Sequence, residues 1–485
     1  MVFSSISFLF YFLPLFLLSY WLLPWRNAVL MVASLFFYTW GEAKNLPLLL
    51  ISITANYAFG LWIGRAQERG ARVGIPFALA ISFNLLALGY YKYAHFALRS
   101  VADVWMGLTG QVVLVPEAVA QQSLPLGISF FTFHAISYLV DVYRRKTPAE
   151  KSLTALFTYI VMFPQLVAGP IVRFSAVARQ LHHRRFSWAR SELGMRFFVL
   201  GLAQKVLLAN TLALCADKVF SLPLESLSTG IAWLGIVTYS LQIYFDFAGY
   251  SLMAIGLGLA CGFAFPRNFN LPYAAQSLTE FWRRWHMSLS RWFRDYVYIP
   301  LGGNRGSSWR TGFNLFTVFF LCGLWHGANW TFVLWGILHG VFLVLERIGL
   351  SRLLALCPAL LRHGYTLLVV MLAWVLFRSE SVTQALHYVG ALLGQQNSDA
   401  ATTAKLIFET QPFASFLTPS LLLSLVCGLL LATGLWRRFW QQCRSRVVPT
   451  RLAQVLEGSA LLTLLLLSAM SLASGVYNPF IYFRF

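Results

Sequence analysis

Two histidines sit where an ionisable group is costly to keep. His326 lies in Gly323-Leu324-Trp325-His326-Gly327-Ala328-Asn329-Trp330, an imidazole between glycines and tryptophans inside an otherwise apolar stretch. A titratable side chain at membrane depth marks a functional site. A histidine held neutral in such a setting can serve as a general base. Gly327 and Ala328 leave room beside it for a thioester or a hydroxyl to approach. His286 lies within 277–296, where Leu278, Phe281/Trp282, Trp285, Leu289, Trp292/Phe293 and Tyr296 recur at spacings of three and four. This period predicts one amphipathic helix at the membrane interface, with Arg283, Arg284, Arg291 and Arg294 largely off the apolar face. His286 shares the stripe of Trp282 and Phe293 and so points toward the buried side.

Three weaker signals accompany the histidines. Tyr298 to Gly306 is a glycine-rich turn whose backbone N–H groups could meet a phosphate, with Arg305, Asn304 and Arg291 as candidate contacts for the phosphates of a donor; a plain connecting turn is the competing reading. Gln242, Tyr244 and Asp246 bring polar groups into an apolar span, and with Trp325 they could line a polar passage or orient a histidine. Asp141, close in sequence to Arg144 and Arg145, is expected to be ion-paired. Cys322, one helical turn before His326, has nothing beside it to activate a thiolate.

The elements that must hold these groups are transmembrane. Of the 485 residues, 58% are hydrophobic and 11% charged, and the mean hydropathy is +0.65, outside the soluble range. Apolar segments fall near 6–23, 28–41, 46–64, 75–97, 124–143, 152–172, 193–216, 229–250, 313–345, 364–378, 416–436 and 454–473. None alternates with period two as a membrane barrel requires, so the expectation is all-α: a polytopic helical bundle of about 11–13 spans with broken or re-entrant helices. No linker divides the chain. It reads as a single membrane domain, 1–485, with a motif-bearing core near 124–345 and C-terminal helices near 364–485. The N-terminus lacks the basic region of a cleavable signal, and 6–23 is expected to stay as the first span.

A formal charge of +20 would suggest nucleic acid in a soluble protein. Here the cations sit in short loops, where they orient helices and meet lipid headgroups. The basic loops near 65–72, 144–146, 173–196, 283–310, 347–362 and 437–451 are expected on the cytoplasmic side, and 98–123, 217–228 and 379–411 opposite. Two segments then fail as simple crossings. The segment 152–172 is interrupted by Phe163-Pro164 and Gly169-Pro170, which predicts a break. The segment 313–345 would extend about 50 Å as one helix, which predicts a hairpin with His326 deep inside. Six cysteines without a C-x-x-C or Cys/His pairing suggest neither a disulfide framework nor a metal site.

Pro125 to Phe133, Phe163 to Ile171, Glu280 to Arg305, Leu324 to Ala328 and the terminal Asn478 to Phe485 together resemble the membrane-bound O-acyltransferase family, in its branch that acetylates exported bacterial polysaccharides such as alginate. Relatives in that branch act on cellulose or peptidoglycan, or pass D-alanine to teichoic acids. The resemblance implies a helical ring around a thin centre in the bacterial inner membrane. In it His326 would be the catalytic base, and His286 would position donor or acceptor or stabilise the oxyanion. It further implies acetyl-CoA as donor, a polysaccharide acceptor, and a periplasmic or membrane-anchored esterase-like partner with a Ser-His-Asp triad, since no such serine motif is present here. The rival from another class is a polysaccharide or small-solute transporter whose buried histidines relay protons. A third reading is a scaffold that holds a soluble acyltransferase at the membrane.

Overall fold

A computed structural model of the chain describes residues 2–120, 122–184, 186–223, 226–395, 413–435, 450–475 and 477–479. Cys443, part of the loop 379–411, most of the basic loop 437–451 and the terminal 480–485 lie outside the described residues. Every regular element among the described residues is helical, as expected where lipid cannot satisfy backbone groups. Seven of these helices are long and apolar enough to cross a bilayer, and Ser7–Leu22, Ile128–Tyr143 and Pro419–Thr433 are apolar but shorter. This count falls below the 11–13 spans expected, partly because the structure divides some apolar segments into short helices. One continuous run, Arg26–Glu68, holds two of the expected spans; it breaks at Glu42 (φ −149°) and the single turn Ala43–Asn45.

Residues Met1–Met195 with Ala254–Pro266 form one compact unit. Arg26–Glu42 packs on Leu153–Val161, while Leu46–Glu68 and Gly74–Leu88 pack on Ile128–Tyr143, a helix buried nearly all round. Buried Asn56 and Asn84 exchange two hydrogen bonds (3.1 and 2.7 Å), a common way to tie helices in lipid. Asp141, fully buried, meets Lys146 at 3.8 Å, a cation from the same loop as the arginines expected for it.

The segment 152–172 is broken, as its prolines predict. Leu153–Val161 stops at Met162 (φ −45°, ψ 109°), and Phe163–Leu166 adds one turn. The break is filled by apolar mass: the rings of Phe3, Phe8, Phe12, Phe16 and Phe37 lie 5.1 to 6.1 Å from that of Phe163. The Phe163 N–H, left without a helical partner, donates to Ser34 Oγ at 3.1 Å.

Residues Arg196–Met253 with Arg267–Phe485 form the other unit. Its centre is the hairpin Ser308–His326 and Trp330–Leu345. The first arm starts five residues before the segment read from hydropathy. At 19 and 16 residues the arms are about 28 and 24 Å long, which removes the length difficulty. They meet at Gly323 and Gly336, where a Cβ on either glycine would come within 3.1 Å of the other's Cα; only glycine allows that backbone contact.

The single amphipathic helix predicted over 277–296 is instead two short ones, Leu278–Arg284 and Met287–Phe293, continued by a wide turn Arg294–Tyr298. The interruption falls on His286, whose backbone is left-handed (φ 41°, ψ 51°). That conformation costs a non-glycine residue about 1–2 kcal/mol, so something must hold it.

Candidate active site

Asn268 holds it. Its backbone carbonyl accepts from the Met287 N–H at 2.9 Å, and its Oδ1 accepts from the Ser288 N–H (3.2 Å) and Ser288 Oγ (2.9 Å). His286 Nδ1 lies 3.1 Å from the same Oδ1. A backbone N–H can only donate, so Ser288 identifies that amide atom as the oxygen, and an oxygen can only accept. Nδ1 therefore carries the proton of the neutral ring and Nε2 carries the lone pair. Asn268 is 1% exposed, and its Nδ2 has no acceptor among the described residues.

His326 ends the first arm of the hairpin, and Gly327 leaves the helix in an extended conformation (φ −167°). Asn329 caps the return arm by accepting from the Thr331 N–H (3.0 Å), and donates to the Glu380 carbonyl (3.0 Å). Both histidines are buried. The His326 ring is boxed edge-on by Trp325 and Trp335 (4.9 Å each) and Phe377 (5.2 Å), and its centroid is 6.5 Å from that of His286. Phe247 stands edge-on to His286 at 4.7 Å. The tertiary structure thus brings together two imidazoles forty residues apart in sequence, with the Trp325 ring packed against both.

The other sequence candidates separate. Asp246 pairs with Lys205 at 2.7 Å, both side chains 2% exposed. Lys205 Nζ also donates to Asn210 Oδ1 (2.7 Å) and to the Pro479 carbonyl. A lysine inside Trp188–Phe220 is a sufficient reason for a buried carboxylate opposite it. Tyr244 packs on Phe269, Tyr273 and Trp285, and Gln242 is buried with its Oε1 unpartnered among the described residues. Arg291 bonds the carbonyls of Met287 (3.1 Å) and Arg267 (2.9 Å), which staples the segment around Asn268. Arg305 is exposed.

A cavity of about 600 Å³ is lined by Trp282, Cys322, Phe319 and other apolar groups, with Arg283, Arg294 and Arg347 also on its walls; neither His286 nor His326 is among its lining residues. Asn304 lines it and accepts from the Tyr298 hydroxyl; Arg305 and Arg291 are not among its lining residues. Cys322 on its wall stands one turn before His326, about 6 Å along the helix. Gly302 (φ 111°) and Gly303 (φ 56°) take conformations that suit glycine, and the Gly303 carbonyl accepts from Asn314 at 3.1 Å.

Two polar residues of this region escaped the sequence reading. Asn268 sits in an irregular stretch with no period. Glu346 followed by Arg347 reads as an ordinary helix end. Yet Glu346 is 2% exposed and accepts from the N–H groups of Leu278 (2.7 Å) and Thr279 (2.9 Å) and from the Thr279 hydroxyl (2.7 Å). A carboxylate at a helix N-terminus satisfies orphan donors and the helix dipole together. At the same helix start, Ser277 caps the Glu280 N–H (3.0 Å). Partial burial works against charge on Glu280, but the Gln276 N–H and the Arg284 guanidinium outweigh it and hold its carboxyl below the usual range.

A multi-pass helical protein with two buried histidines, and with a cavity of mixed apolar and cationic walls whose Cys322 stands one helical turn before one of them, has the makings of a membrane acyltransferase. Comparison with known proteins makes the class definite: residues 130–378 match the model of MBOAT, the membrane-bound O-acyltransferase family, and the chain belongs to that family. It is 46% identical over 388 residues (79% of this chain, 73% of the other) to the probable alginate O-acetylase AlgI of Pseudomonas aeruginosa. It is 38% identical, over the full length of both chains, to the probable alginate O-acetylase AlgI of Pseudomonas putida. The peptidoglycan O-acetyltransferase of Helicobacter pylori is 35% identical over 81% of this chain and 80% of its own. The protein is an O-acyltransferase of the membrane.

Proposed function

We propose that the protein takes an acetyl group from acetyl-CoA on the cytosolic side of the bacterial inner membrane and delivers it for O-acetylation of an exported, alginate-like polysaccharide. The observation that carries this reading is the stack of parts along one hairpin arm. Cys322 forms the wall of the arginine-bearing cavity, and His326 ends the same helix one turn further on, beside His286. The cations Arg283, Arg294 and Arg347 suit the phosphates of the donor, and the apolar wall suits its pantetheine arm.

In this mechanism His326 removes the proton from an acceptor hydroxyl. The oxygen attacks the thioester carbonyl, the C–S bond breaks, and the departing thiolate takes that proton back from the imidazolium. The place of His326 at the C-terminus of a 19-residue helix favours the transient imidazolium through the helix dipole. His286, with its lone pair on Nε2, accepts rather than donates. That supports a role in orienting the acceptor hydroxyl over one as oxyanion donor. The immediate acceptor fits a hydroxyl of an esterase-like Ser-His-Asp partner that completes transfer to the polymer.

The test is acetyl ester on exported polymer in cells carrying His326→Ala, with membrane levels of the variant matched to wild type. Loss of the general base should lower acetylation by about 10²–10⁴-fold, with polymer still exported. Unchanged acetylation would sink the mechanism, and loss of the polymer itself would favour transport.

A further inference from the structure

A second cavity, of about 490 Å³, lies wholly within the unit Met1–Met195 with Ala254–Pro266, and Trp25, Arg26, Asn27, Thr154, His182 and Arg184 are among its lining residues. Nothing in the acyl-transfer reaction uses it. Its walls carry two guanidinium groups, and among the described residues neither is paired with a carboxylate. Arg184 spends its N–H groups on neutral acceptors, Asn27 Oδ1 (2.5 Å) and the Gln180 carbonyl (3.2 Å), lies over the Phe263 ring at 4.5 Å with the Tyr20 hydroxyl as a further neutral neighbour, and among the described residues its Nε–H has no hydrogen-bond acceptor. Arg26 rests 6.0 Å over the Phe186 ring. Glu150, the carboxylate that meets His182 of the cavity wall, is taken up by His182 Nε2 (2.8 Å) and the Ser152 N–H (2.8 Å). Two half-buried cations left with neutral neighbours in one polar hollow are the makings of a phosphate site.

The surroundings say which phosphate. Immediately before the cavity, the helix Leu13–Leu22 presents Leu15, Leu18 and Leu22 outward, Leu22 at 71% exposure. Trp25 (72% exposed) and Trp188 (70%) stand at its end, with Trp188 packed on Trp21 and Phe186. Exposed tryptophans above an exposed aliphatic strip are the signature of the headgroup level of a bilayer. The adjoining stretch 173–196, which holds the helix Phe174–His182 and the start of Trp188–Ala203, is one of the arginine-rich stretches expected from the sequence on the cytoplasmic side, and that argues for the cytoplasmic leaflet.

We propose that this hollow is a specific site for the phosphodiester headgroup of an anionic phospholipid of the cytoplasmic leaflet, held by Arg26 and Arg184, with its acyl chains along Leu15, Leu18 and Leu22. The choice of lipid over free phosphate rests on that aliphatic strip.

The experiment uses the full chain, purified and offered phosphatidylglycerol or phosphatidylcholine, with bound lipid counted by native mass spectrometry and inorganic phosphate as a competing probe. Wild type should retain phosphatidylglycerol in preference. Arg26→Gln and Arg184→Gln should each lower that retention about fivefold, the factor equivalent to about 1 kcal/mol per interfacial cation. Arg184→Lys, which keeps the charge, should keep most of it, so that a loss in Arg184→Gln cannot be blamed on misfolding alone. Arg69→Gln, in another basic loop, should behave as wild type. Equal retention of the two lipids, equal losses in Arg26→Gln and Arg69→Gln, or capture of inorganic phosphate with no lipid preference would each overturn the proposal.

Discussion

Two of the helix breaks in this protein, at Met162 and at His286, serve opposite ends. At Met162 the gap is packed with six phenylalanine rings and one backbone N–H is rescued by Ser34. At His286 the gap is packed with hydrogen bonds, four of them converging on Asn268. Dispersion and burial are non-directional and tolerate small shifts of the parts. Hydrogen bonds fix orientation and, for an imidazole, fix which nitrogen holds the proton. The first break therefore stores stability, and the second presents a histidine in one defined tautomer at a strained backbone position.

That contrast can be tested by asking each break to fail in its own way. The largest effect is expected for His286→Ala: acetyl transfer should fall by about 10²-fold or more, with the thermal unfolding midpoint close to wild type. A large drop in that midpoint would instead make His286 a packing residue. Phe163→Ala should do the reverse, costing about 3–5 kcal/mol of stability while the specific activity of the protein that remains folded is preserved. Kinetics per folded molecule, measured after the unfolded fraction is removed, would expose any catalytic part for the aromatic cluster. Asn268→Ala should lie between them, lowering activity about 10–100-fold as orienting partners of functional histidines do. Asn268→Asp keeps the oxygen that Nδ1–H and Ser288 need and should recover part of that loss; a pH profile identical for wild type, Asn268→Ala and Asn268→Asp would show that the amide does not act through the imidazole.

Helix class and membrane residence were legible from composition alone, because a bilayer leaves the backbone no alternative to internal hydrogen bonds. The broken segment at Phe163-Pro164 was legible for a similarly local reason: proline lacks an N–H wherever it is placed. His326 stood out because an imidazole in an apolar run is expensive to keep without a task, and the hairpin that carries it followed from its length. The division at His286 was not legible. Apolar residues at 278, 281, 285, 289 and 292 satisfy a continuous helix as well as two short ones, and the decision rests with Asn268, eighteen residues upstream. Asp246 was legible as a buried acid but not as the partner of Lys205, which lies forty-one residues before it on another helix. Glu346 gave no sign of meeting the N–H groups of Leu278 and Thr279, sixty-eight and sixty-seven residues away. Periodicity and hydropathy are properties of neighbours along the chain, and they set what each segment becomes. Which buried donor meets which acceptor is set by contacts between segments, and only the folded chain brings those atoms within hydrogen-bonding distance.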